Sequence, residues 1–142
     1  MSMNAKEFLL QIKKLDRLIE NKLIEVRQLK EIANNAVGNM AGEKVQSTKN
    51  PQRIAEAICQ YVDLENEINA DIDRLIDTRK NVIGVIEQLN PTEYDILHKI
   101  YVQNITLQDV ADKYDKTYSW VTTVHGRALK HVQDILNNRG NP

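Results

Sequence analysis

Between Ile54 and Leu89 an apolar residue returns every three or four positions: Ile54, Ile58, Tyr61, Leu64, Ile68, Ile72, Leu75, Val82, Ile86 and Leu89, with Arg79 the one polar member of the series. Ten steps over 35 residues average 3.5, the spacing at which one side of a helix stays turned toward a partner. The positions outside this seam (Asp63, Glu65, Glu67, Asp71, Asp73, Arg74 and Lys80) are charged and read as a solvated face. Upstream, Phe8, Ile12, Leu15, Ile19, Leu23 and Val26 are spaced 4, 3, 4, 4 and 3 apart, again a helical period, and predict a helix from about Asn4 to about Asn34. Such a helix is about 45 Å long at the usual rise per residue. Neither helix can bury its stripe alone. They are expected to pack as an antiparallel hairpin, coiled-coil-like, on a second copy of the chain, or both. Proline, the main helix breaker, stands only at 51, 91 and 142, so the sequence is free to be all-α.

Breaks between these segments are marked by local signals. The stretch 35–50 (NAVGNMAGEKVQSTKN) loses the period, holds Gly38 and Gly42, and reads as a flexible connection. Asn50 then caps and Pro51 opens the second helix, since the first helical position needs no N–H. Asn90-Pro91-Thr92-Glu93 repeats the signal more strongly, with Glu93 placed to reach back to the cap's own N–H. The expected division is therefore a long helical hairpin over residues 1–89, for oligomerisation or partner binding, and a separate unit over residues 90–142.

Residues 90–142 carry the pattern of three short helices. Tyr94, Leu97, Ile100 and Tyr101 face inward on the first, which Asn104 ends. Thr106 caps a second, with Leu107, Val110, Ala111 and Tyr114 inside. Asp115-Lys116-Thr117 is a short turn, and Thr117 caps a third helix with Val121, Val124, Ala128, Val132 and Ile135 inside. These are the requirements of a helix-turn-helix: a small residue where two helices cross, which is Ala111, and branched apolar residues four and seven after the turn, which are Val121 and Val124. The outward strip of the third helix (Tyr118, Ser119, Thr122, Thr123, Gly126, Arg127 and Lys130) has the width of a DNA major groove.

The run TLQDVADKYDKTYSWVTTVHGRALKHV resembles the DNA-binding region 4 of sigma-70-type factors, and LNPTEYDILHKIYVQNIT resembles the helix before it. With the long N-terminal helices included, the chain resembles small phage and prophage transcription regulators of Gram-positive bacteria, of the ArpU and RinA type. The resemblance implies sequence-specific binding of double-stranded DNA and regulation of phage or prophage (late) genes in the cytoplasm of a bacterial host. By matching positions, Tyr118, Ser119, Thr122 and Thr123 would contact bases. Thr106, Lys116, Thr117, Arg127 and Lys130 would hold phosphates. Residues 1–89 would form a homodimer or engage host RNA polymerase. Three positions depart from the family pattern: Asp115 stands where the turn residue is usually Gly, and Tyr118 and Trp120 stand where basic residues are usual. Trp120 either contacts the DNA backbone or packs against the first short helix.

Charge bears on this reading, because the chain is −1 overall and residues 90–142 hold six basic and six acidic residues. Near-neutrality predicts weak non-specific affinity, which two half-sites on a dimer would offset. The rival class is a phage packaging component such as a small terminase subunit, which also joins a helix-turn-helix to oligomerising helices. No Ser/His/Asp, Cys/His or glycine-rich phosphate-binding arrangement appears, so neither catalysis nor a cofactor is expected. His98, His125 and His131 do not share a helical face with further ligands, and no metal is expected. Cys59, among Ile54, Ile58 and Tyr61, reads as a buried inert thiol. The N-terminus lacks the charge-free apolar core of a signal peptide, and no apolar run is long enough to span a membrane.

Overall fold

The computed structural model describes residues 3–42 and 51–139, and the side-chain surroundings of 3–34 and 51–139. All the regular structure among them is helical: α1 (Ala5–Gly42), α2 (Pro51–Ile86), α3 (Pro91–Leu97) running on into a π-helical turn (His98–Val102), α4 (Leu107–Tyr114) and α5 (Tyr118–Arg139). Asn4 starts α1 through a reciprocal cap. Its side-chain oxygen accepts from the Glu7 N–H at 2.8 Å, while its own N–H donates to the Glu7 carboxylate at 3.2 Å. The helix does not end near Asn34 as the loss of period suggested, but continues to Gly42. Periodicity reports what a helix packs against; only a residue that disrupts the backbone stops it, and this stretch has no proline. Pro51 is the first residue of α2, while the Asn50 cap and the rest of the expected connection, 43–50, lie outside the described residues.

Two compact units divide the chain, and each long helix contributes to both: Asp16–Arg74 is one, and Met1–Leu15 with Leu75–Pro142 is the other. In the first, α1 and α2 pair antiparallel, since Lys22 reaches Asp71 while Lys30 reaches Glu65. The covered residues are Ile19, Val26 and Ala33 on α1 and Ala57, Ile68 and Asp71 on α2, with Lys22, Leu29, Tyr61 and Leu64 partly covered. This seam has the expected 3.5-residue period and keeps Ile19, Val26, Tyr61, Leu64 and Ile68 of the apolar series, but it shifts by one position at Lys22, Ala57 and Asp71. Leu23, Ile58 and Ile72, assigned to the seam by counting apolar residues, are exposed, and Asp71, assigned to the solvated face, is buried.

The reason is a charge pair. The Lys22 ammonium meets the Asp71 carboxylate at 2.7 Å, with Glu67 at 3.1 Å from the same nitrogen and Arg74 at 3.1 Å from the other Asp71 oxygen. The hydrogen bond from Lys22 holds the Asp71 carboxyl below its ordinary range against the opposing effect of burial, and the same bond raises Lys22. A pair that satisfies itself across the seam fixes helix register, because any slip would leave a covered charge unanswered. With Ala57 rather than Ile58 in the seam, Cys59 lies off it, and the expected buried thiol is an exposed one.

The second unit holds one apolar core. Ala5, Phe8, Leu9 and Ile12 of α1 and Val82, Val85 and Ile86 of α2 join Ile96, Leu97, Ile100, Tyr101 and Val102, then Val110 and Ala111, then Val121, Val124, Ala128 and Val132. Leu9, Ile12, Ile86, Ile96 and Leu97 have no exposed surface, and each such side chain contributes roughly 1.5–3 kcal/mol by leaving water. The core of the C-terminal helices is thus built jointly with the ends of both long helices. Among the described residues no helix is long and apolar enough to cross a membrane.

Candidate nucleic-acid interface

Each of the three short helices starts where its cap residue stands. The Asn90 side chain accepts from the Glu93 N–H at 2.9 Å with Pro91 at the first helical position. Thr106 Oγ1 accepts from the Asp109 N–H at 3.1 Å, and Thr117 Oγ1 from the Trp120 N–H at 3.0 Å. The expected return bond from Glu93 to its cap does not form. Instead its carboxylate is buried and accepts from His131 Nδ1 of α5 at 2.8 Å, because α5 covers that end of α3 and offers a ring nitrogen. The first helix also ends differently from a regular helix. His98–Val102 is a π turn, which brings Ile100, Tyr101 and Val102 all into the core, and Asn104 closes it with a left-handed backbone at φ 62°.

The turn between α4 and α5 is formed with Asp115 in the place usual for glycine. Its backbone is left-handed, φ 55° and ψ 44°, and its N–H donates to carbonyls of Ala111 and Asp112. The following N–H, of Lys116, donates to the Ala111 carbonyl at 3.0 Å, completing a Schellman-type helix end. Ala111 is fully buried at the crossing, and Val121 and Val124 are buried opposite it. Aspartate tolerates this backbone better than most residues with a Cβ, so the turn forms without glycine.

With the inner side of α5 fixed by Val121, Val124, Ala128 and Val132, the helical repeat decides what faces out. Ser119, Thr123, Gly126 and Lys130 are exposed and form the middle of the strip. Half-buried Thr122 and exposed Tyr118 flank it on one side, and exposed Arg127 on the other. Arg127 lines a shallow cleft with Pro91, Thr92 and Trp120. Both threonine hydroxyls donate back to the Ser119 carbonyl, each at 2.9 Å, which leaves oxygen lone pairs and methyl groups as what they present. A β-carbon built on Gly126 would meet nothing within 4 Å, so the strip is open at its centre.

Trp120 packs on Tyr114 of α4, ring centroids 5.5 Å apart, and the Lys116 ammonium lies 5.4 Å above its ring. It is partly buried and touches the core, so packing accounts for it, though against α4 as well as beside the start of α3. Lys116, Thr106, Thr117 and Lys130 are all exposed. On the acidic side, Glu93 is buried, and Asp95 is occupied by Lys99 at 2.8 Å and by the Tyr114 hydroxyl. Burial works to raise Asp95, but Lys99 and Tyr114 outweigh it and hold the carboxyl below its usual value. Burial first, and Asp95 second, push the Tyr114 phenol up to about 12. Asp95 and Lys99 cancel one another and Glu93 is buried, which leaves five basic residues against four acidic ones, a small excess of positive charge.

Three side-chain pairs between these helices escaped sequence reasoning, Glu93–His131, Tyr101–His125 and Asp95–Tyr114. The Tyr101 hydroxyl and His125 Nε2 are 2.7 Å apart with stacked rings, and burial, with the Lys6 charge second, lowers the His125 pKa. Partners separated by 38 and 24 residues leave no local signal. Asp95–Lys99, four apart, has instead the spacing of a local helical pair. Among the described residues no group of three or more His, Cys, Asp or Glu is placed to hold a metal ion.

Comparison with known proteins bears on the same stretch. Searches of curated proteins and of solved structures return no match for the chain. A family model does match: residues 85–134 fit the family described as sigma-70, region 4, spanning the end of α2 through most of α5. The last third of this all-α chain is therefore a sigma-70 region 4-like DNA-binding helix-turn-helix.

Proposed function

We propose that the protein is a sequence-specific transcription regulator that grips double-stranded DNA with α5, works as a homodimer through residues 1–89, and acts by binding rather than by catalysis. The resemblance to small phage and prophage regulators of Gram-positive bacteria makes phage or prophage genes the expected targets, in the cytoplasm of the host cell. The observation that carries the reading is the α5 strip, presented by a complete turn within the segment that matches sigma-70 region 4. Tyr118, Ser119, Thr122 and Thr123 read base edges. With their protons given to the Ser119 carbonyl, Thr122 and Thr123 offer methyl groups to a thymine methyl and lone pairs to the amino groups of adenine or cytosine. Thr106, Lys116, Thr117, Arg127 and Lys130 hold the phosphates on either side. The hydroxyls of Thr106 and Thr117 spend an acceptor on capping and keep a donor for this.

The test is a titration of purified protein on genomic fragments selected by binding, and on random DNA, at two salt concentrations. Thr123→Ala should weaken the selected site by about 1–3 kcal/mol and relax preference at particular base pairs. Arg127→Ala should weaken all sequences alike and flatten the salt dependence. If both variants bind like the parent, α5 is not the reading element.

A further inference from the structure

The seam that first suggested self-association is used up inside the chain, so dimerisation needs another surface. One is present on α2. Ile58, Val62, Ile72 and Ile76 are 40%, 43%, 38% and 58% exposed, and they lie on the side of this continuous helix next to the seam. Glu65 and Asn69 complete the stripe, giving 58, 62, 65, 69, 72 and 76, a second series at steps of 4, 3, 4, 3 and 4. A helix with two such stripes can pack against two neighbours at once. Lys30 joins Glu65 at 3.0 Å on this side, and Leu23, one heptad before Lys30 and 47% exposed, adds to its apolar surface.

The stripe reads alike from both ends. Ile58 and Ile76, Val62 and Ile72, and Glu65 and Asn69 are equidistant from a midpoint at position 67. Laid antiparallel on its own copy, α2 places isoleucine on isoleucine at both ends, Val62 on Ile72, and Asn69 on Glu65, where the amide N–H donates to the carboxylate twice over. Laid parallel, it places Glu65 on Glu65, a like-charge pair in a seam. Two-fold symmetry requires a patch that complements itself under reversal, and this one does. Exposed apolar rows of this kind are otherwise uncommon on a monomer. We infer that α2 pairs antiparallel with α2 of a second copy through Ile58, Val62, Glu65, Asn69, Ile72 and Ile76. The inference deepens the dimer of the proposed function and rests on it.

Sedimentation equilibrium of the full chain tests this together with thiol cross-linking. The parent should be a dimer, and Ile58→Glu/Ile72→Glu a monomer with unchanged helix content, since both positions are exposed. Leu18→Glu/Ile32→Glu, also at exposed positions away from the α2 stripe, should leave a dimer. Antiparallel pairing puts Asn66 beside its own copy and separates the two Cys59 residues by about 24 Å along the helix. A short bis-maleimide should therefore link Asn66→Cys in a Cys59→Ser background, and not the parent. A parent that stays monomeric at micromolar concentration overturns both the dimer and the interface. A dimer that survives Ile58→Glu/Ile72→Glu, or dissociates with Leu18→Glu/Ile32→Glu, overturns the interface alone. Ready linking of the parent through Cys59 overturns the antiparallel arrangement.

Discussion

Replacing Asp115 separates backbone strain from side-chain contact, because the residue is exposed and its role lies in its φ of 55°. A left-handed backbone costs a residue with a Cβ roughly 1–2 kcal/mol, with Asp at the lower end, whereas Gly has no such penalty. Against this, glycine adds roughly 0.5–1 kcal/mol of unfolded-chain entropy. Asp115→Gly should therefore stabilise the fold by up to about 0.5 kcal/mol, raising the melting temperature by up to roughly 2 °C for a chain of this size. Asp115→Ala keeps the strain and loses the tolerance of Asp for this backbone, so it should destabilise by about 1 kcal/mol. Urea melts of the three proteins give the order Gly above Asp above Ala, with equal m-values. Both substitutions also remove a negative charge beside Lys116 and Thr117. DNA affinity at low salt should rise for both, with base preference unchanged. An Ala variant as stable as the Gly variant would refute the assignment of the strain to this turn.

Three further outcomes follow from the core and its titrating groups. Val121→Ala, at a site with no exposed surface, should cost about 2–3 kcal/mol in a chemical melt and weaken DNA binding only as far as it unfolds the protein. Because burial depresses the His125 pKa below its ordinary 6.5, unfolding takes up a proton; this contribution is complete above pH 6.5 and is lost as pH falls through the folded value. Urea midpoints should fall on acidification across that window, less steeply in His125→Gln. A fragment of residues 90–142 should show no cooperative melt, since Phe8, Leu9, Ile12, Val82, Val85 and Ile86 complete its core; restoring residues 75–89 alone should not rescue it.

What the sequence determined by itself was most of what is decided within about one helical turn. The caps at Asn90, Thr106 and Thr117, the turn at Asp115, and the clamp of Val121, Val124 and Ala128 depend on neighbours three or four residues apart. So the helix-turn-helix and its outward strip were legible, and so was the 3.5-residue period of the long helices. Tertiary structure decided which way those helices face. On α2 the period leaves a choice between adjacent residues at 57/58 and at 71/72, and counting apolar residues favours Ile58 and Ile72. The folded chain covers Ala57 and Asp71 instead, because Lys22 on the other helix answers Asp71 at 2.7 Å and an unanswered charge could not be covered there. The same holds for Glu93, whose carboxylate leaves its own cap for His131 on α5. A partner that many residues away leaves no periodic trace, and only packing can choose between two faces that local chemistry allows.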